Sequence, residues 1–296
     1  MSVIDRGNRS SVEVECFKTV TPLAGIFIIP GDCEHLYKVV SELCGNHRSI
    51  DQVVHHYVVS PAVHADFGKY GSPVHGNAKV VFVARGAVMD HRPPHDIFGN
   101  VFTQTCTHVA AALATVSTDI LRGWTELADF GKAEDAVSTE EVSEILKGMV
   151  EDGSLPPQFT RVGITGGKPV FARTSLAVAR LEALQWWMTD QGKDFGIVNM
   201  AGKDNTVYLD GSFPKVSKRA IMAFAQKDTT GVSFRALTSI DILAILGYNI
   251  KAYPIWVSTH AMTSQRLAHS IPVPLAFAAV MAVARALTPN GDAKDQ

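Results

Sequence analysis

The sequence predicts an α+β protein, with a β-containing N-terminal third followed by a mainly helical C-terminal two-thirds. Three observations lead there. Apolar runs rich in β-branched residues occupy Ala24–Ile29 and Lys79–Ala84, the first bounded by Pro30-Gly31. A capping-box pattern, Ser138-Thr-Glu-Glu141, opens a helical stretch that Gly153 and Pro156-Pro157 close. Beyond Gly167 the apolar residues recur mainly at helical spacing. The chain therefore reads as a mixed α/β region over 1–130, an acidic capped helix with a Pro-rich boundary over 131–158, and a basic, mainly helical region over 159–296.

Each element has its own signal. Val12, Val14 and Cys16 alternate with Glu13 and Glu15 as in a half-buried strand, and Ala24–Ile29 is a second strand. Asp32 can cap a helix over Cys33–Leu43, with Leu36, Val39, Val40 and Leu43 on one face and Gly45 as its stop. A short helix is expected over Ile50–Val58. Ser60–Asn77, rich in Gly, Pro and His, reads as a loop before the strand Lys79–Ala84. The Ala-rich, proline-free stretch Val101–Leu127 reads as a long helix. Pro169 suits a first helical turn ahead of Phe171–Met188, whose expected buried face is Leu176, Ala179, Leu184 and Trp187. A hairpin is expected over Phe195–Tyr208, then helices over Pro214–Gln226, Ser233–Leu246, Thr259–Ala268 and Pro274–Leu287.

Composition bounds the function. With 296 residues the chain can bury a substantial core without covalent staples. Its 19% charged residues and mean hydropathy of +0.10 make it apolar for a soluble protein, which fits surface buried against other subunits. Cys16, Cys33, Cys44 and Cys106 lack CxxC spacing and read as free thiols. Asp5, Arg6 and Arg9 interrupt any export signal near Met1, and Pro272, Pro274 and Arg285 break the most apolar stretch, Ile271–Leu287. A cytoplasmic protein without a membrane partner is expected.

Catalytic motifs fail on inspection. The loop Gly163-Ile-Thr-Gly-Gly-Lys168-Pro169 has Val162 where a P-loop needs its first Gly, and Pro169 where it needs a magnesium-binding hydroxyl. No GxSxG or SxxK nucleophile is present, and no cofactor is expected. The strongest enzymatic hint is the early clustering of His47, His55, His56, His64, His75, His91 and His95 with Asp66, Asp90 and Asp96, since imidazole and carboxylate form many metal sites. A metal-dependent enzyme using His91, His95 and Asp96 is therefore the alternative reading. Trp186 and Trp187 point about 100° apart on a helix, so at least one belongs to the core.

Charge supplies the leading functional expectation. Residues 1–160 hold 12 Lys and Arg against 20 Asp and Glu, whereas 161–296 hold 15 against 9. A net of −8 followed by +6 provides the local positive face that phosphates require. Arg173 and Arg180 are seven apart on one expected helix, and Lys215, Lys218 and Arg219 share a face of the next. With Arg235 they form the expected contacts to a sugar-phosphate backbone, made without reading bases.

The segment Leu23-Ala-Gly-Ile-Phe-Ile-Ile-Pro30, followed by Asp32 and an expected helix, resembles the lead-in to the core of coat proteins from flexible filamentous RNA viruses. The near-neutral total charge and the capped helix at Ser138–Glu151 are compatible with that family or with segmented-virus nucleoproteins. The resemblance implies a homo-oligomeric viral structural protein, found in the virion and the host cytoplasm. Such a protein forms filaments around single-stranded RNA held in a basic groove. It carries no RNA-binding residue over to this chain, so the six cations rest on charge alone.

Overall fold

The structure, a computed structural model, describes residues 24–30, 57–85, 108–113, 137–161, 163–164, 174–201, 205–216, 221–249, 267–268 and 270–287. In chain order the strands are β1 (Ala24–Pro30), β2 (Tyr57–Val59), β3 (Val63–Asp66), β4 (Asn77–Arg85), β5 (Phe195–Asn199), β6 (Val207–Tyr208), β7 (Met222–Asp228) and β8 (Gly231–Ala236). The helices are α1 (Val109–Leu113), α2 (Thr139–Glu151), α3 (Ser175–Asp190), α4 (Ser239–Ile245) and α5 (Val273–Leu287). They fall into two compact units, Met1–Thr107 together with His269–Gln296, and His108–Ala268. The boundary expected at 131–158 therefore lies inside the second unit, and the chain returns to the first unit with α5. Expected elements over Val12–Cys16 and Cys33–Leu43, and most of those over Val101–Leu127 and Thr259–Ala268, lie outside the described residues.

The first unit is an antiparallel sheet built around β4. β1 pairs along one edge of β4, from Ala24↔Ala84 to Pro30↔Ala78. β2 and β3 follow one another along the other edge, with Val59 opposite Val83 and Val63 opposite Val80. Ser60 continues the ladder across the gap: its N–H donates to Phe82 O at 2.8 Å, and its Oγ accepts from Phe82 N–H at 3.0 Å. Ala78 and Val80–Ala84 are all buried, as the continuous β-branched run requires of a central strand. α5 packs on β1 and on the 3-10 turn Gly68–Tyr70, burying Leu275, Ala278, Ala279 and Ala282. Two expectations are corrected here. Tyr57–Val59 is strand where the end of a helix was expected, and Val63–Asp66 within the expected loop is strand, because β4 offers both a ladder to pair with.

The second unit contains a four-stranded antiparallel sheet in the order β6-β5-β7-β8. The expected hairpin is present, with Ile197 opposite Tyr208. The expected helix Pro214–Gln226 is corrected: Met222–Asp228 is the inner strand β7, hydrogen-bonded to β5 and β8. The expected helix Ser233–Leu246 divides, since Gly231–Ala236 is β8 and α4 starts only after Thr238. So the region expected to be mainly helical carries a complete sheet. Ala223 and Ala225, good helix formers, take strand geometry because their small side chains let α3 approach this face.

α3 lies between that sheet and α2. Leu181, Leu184 and Met188 pack on Val198, Ala223, Ala225, Val232 and Phe234, while Ala179, Ala183 and Trp186 pack on Val142, Leu146 and Met149 of α2. Of the face expected to be buried, Ala179 and Leu184 are buried, Trp187 is half-buried and Leu176 is exposed. Trp186 joins the core, as expected for one of the pair, edge-on to Trp187 and Phe159. Ser138 Oγ accepts from Glu141 N–H and caps α2, while Thr174 Oγ1 accepts from Ala177 N–H and caps α3.

Gly196 shows how closely α3 and β5 meet. A Cβ there would stand 2.7 Å from Leu184 Cδ1, 2.8 Å from Leu209 Cδ2 and 3.2 Å from Met188 Cγ. Gly196→Ala is expected to destabilise this unit by about 1–3 kcal/mol, even though alanine otherwise favours the folded chain over glycine. All four tryptophans (Trp124, Trp186, Trp187, Trp256) lie in the second unit, so urea unfolding followed by tryptophan fluorescence reads this change directly.

Candidate nucleic-acid interface

The structure separates the six expected cations into those turned inward, those facing solvent and those beyond its description. Arg180 is inward. At 2% exposure it is enclosed on α3, and its Nε donates to Asn205 Oδ1 at 2.9 Å. Burying a guanidinium is costly unless its donors are met, so Arg180 belongs to the packing of α3 and offers no surface charge.

Arg235 is also engaged. It alternates with Phe234, which packs toward α3, so Arg235 projects from the opposite face of the sheet. There its Nη1 and Nη2 donate to Asp241 Oδ2 and Oδ1 at 2.8 and 3.1 Å. The Asp241 side chain is fully buried and that of Arg235 is 26% exposed. Asp241 Oδ2 further accepts from Thr238 N–H at 2.8 Å and from Thr238 Oγ1 at 2.9 Å, while Thr238 Oγ1 accepts from Asp241 N–H. This capping box starts α4 and ties it to β8 through the ion pair. The guanidinium carbon also stands 5.4 Å from the centre of the Phe224 ring, its cross-strand neighbour.

Arg180 and Arg235 thus lie on opposite sides of the sheet and cannot line one groove. Lys215 faces solvent, held between buried Phe213 and Val216 in an irregular segment and not on a helix. Arg173, Lys218 and Arg219 lie outside the described residues, as do His91, His95 and Asp96. Among the described residues no group of three His, Cys, Asp or Glu side chains is placed to hold a metal. No described helix is long and apolar enough to cross a membrane.

Sequence reasoning missed Arg161 as a structural group. Its Nε and Nη2 donate to Glu182 Oε2 and Oε1 at 2.8 and 3.1 Å, and its Nη1 donates to Ser143 Oγ at 2.8 Å, so it clamps α2 to α3. Exposed Lys193 and Lys227 were also passed over. Their chain segments meet at one end of the sheet, where Lys227 N–H donates to Asp194 O at 2.7 Å, and Asp190, Asp194 and Asp228 lie within three residues of one or the other in sequence. Asp228 is firmly anionic: the Thr230 hydroxyl, then the Thr230 and Gly231 amides, hold its carboxyl below the usual carboxylate range.

Unit boundaries change the meaning of the charge imbalance. Within the second unit, residues 108–160 hold 3 Lys and Arg against 10 Asp and Glu, while 161–268 hold 13 against 7. The segregation, −7 against +6, is internal to one fold unit and does not distinguish two domains. The pairs Arg161–Glu182 and Arg235–Asp241 each cancel, leaving the +6 of the later segment unchanged. No family model matches the chain, and no curated protein matches it in sequence.

Arg235→Ala would leave Asp241 buried with only Thr238 as its partner. Loss of about 3 kcal/mol is expected in urea unfolding of the second unit, against a change within about 0.5 kcal/mol for Lys215→Ala. Equal small effects for both would contradict the assignment of Arg235 to the fold.

Proposed function

We propose that the chain is a self-assembling, coat- or nucleocapsid-like structural protein that holds single-stranded RNA through sequence-independent phosphate contacts. The observation that carries this reading is the charge segregation inside the second unit, where 161–268 keep a net of +6 after both internal ion pairs are counted. A near-neutral chain with a strongly positive segment attracts a polyanion locally without binding every anion in its surroundings. The contact set narrows to Arg173, Lys215, Lys218 and Arg219, because Arg180 is buried on α3 and Arg235 is paired with the buried carboxylate of Asp241. On this reading the protein resides in the virion and the host cytoplasm.

The test is the salt dependence of binding to a generic single-stranded RNA oligomer. Binding should weaken steeply between low and physiological salt. Replacing Lys215, Lys218 and Arg219 together by Ala should flatten the slope of log K against log salt by about 2, since each phosphate contact on a single strand contributes about 0.7. Arg180 and Arg235 variants that remain folded should keep the full slope. Absence of binding at low salt removes the proposal.

A further inference from the structure

We infer that α5 is a clamp that stabilises the second unit through the connectivity of the chain. The inference goes beyond the function proposed above and does not depend on it. The second unit, His108–Ala268, is an insertion: both of its ends lead into the first unit, and α5, beyond the later end, packs on β1. Both ends are anchored. Val109 is fully buried, and its N–H donates to Gly211 O at 3.0 Å within the second unit. At the other end Leu267 of the second unit and Ile271 of the first are both buried, and only Ala268, His269 and Ser270 lie between them. α5 begins two residues later and buries Leu275, Ala278, Ala279 and Ala282.

This arrangement acts on the unfolded state. If the second unit unfolds while α5 keeps its place on β1, about 160 residues of flexible chain are held as a closed loop, and the entropy lost in closing a loop grows with its length. If α5 lets go instead, the buried apolar contacts of Leu275, Ala278, Ala279 and Ala282 are lost. Each route makes unfolding of the second unit less favourable than it would be with free ends, as a cross-link between those ends would. The coupling is reciprocal, since a folded second unit keeps α5 within reach of β1. Displacing α5 therefore loosens a unit to which it does not belong, and this is the conformational device that the inserted topology supplies.

The experiment is urea unfolding of the full chain followed by tryptophan fluorescence, for the natural protein, Leu275→Asp and Ala279→Asp. Every tryptophan lies in the second unit and both substitutions lie in the first, so the signal reads the coupling alone. Hydrogen exchange over Val273–Leu287 reports whether α5 has been released. The expected result is loss of protection in α5 together with a drop of at least about tenfold in the folded-to-unfolded ratio of the second unit in both variants. Release of α5 with an unmoved fluorescence transition overturns the inference. A second measurement tests connectivity itself. A protease site is inserted between Thr107 and His108, and the chain is cleaved at a protein concentration at which the two fragments still co-sediment. Cleavage is expected to lower the fluorescence transition by the same amount, with Leu275→Asp adding nothing further in the cleaved protein. A cleaved protein that unfolds at the same urea concentration as the intact chain overturns the clamp.

Discussion

Helix α3 is covered by the sheet on one side and by α2 on the other, and this double burial decides what its side chains can do. A helix with one wet face can display its cations, whereas a helix enclosed on two sides must satisfy them internally or not hold them at all. On α3 Arg180 Nε donates to Asn205 Oδ1, and Glu182 accepts from Arg161. Arg161 reaches out to Ser143 and makes the α2–α3 contact polar at its rim as well as apolar at its centre. Gly196 follows from the same constraint, because β5 can lie that close to α3 only where a side chain is missing.

The opposite face of the sheet repeats the logic with different residues. Arg235 is drawn down onto Asp241, and the carboxylate that pairs with it also opens α4. Two of the most conspicuous cations of the second half thus serve the fold. The remaining positive charge is carried by residues that neither internal pair consumes, and it shares a fold unit with an equally conspicuous acidic segment.

Elements with a strong local signal were legible in the sequence. β1 and β4 announce themselves through apolar runs rich in β-branched residues, α2 through Ser138 and Glu141, and the β5–β6 hairpin through its intervening turn residues. β7 was not legible, because Met-Ala-Phe-Ala suits either a short helix or a strand, and pairing with two neighbours decides between them. The start of α4 had a usable signal in the Thr238–Asp241 spacing, obscured by reading Ser233 onward as one helix. Charge was legible and burial was not: nothing local distinguishes Arg180 from Lys215. The available clue was that Arg180, Glu182 and Gln185 give α3 no consistent polar stripe, as expected of a helix enclosed on several sides.

The most direct test of the central claim is to purify the protein without nuclease, record its absorbance ratio at 260 and 280 nm, and image it by negative stain before and after ribonuclease treatment. The account requires co-purified nucleic acid in repeating assemblies that ribonuclease, but not deoxyribonuclease, dissolves. A nucleic-acid-free protein that stays dispersed when single-stranded RNA is added at low salt would contradict it.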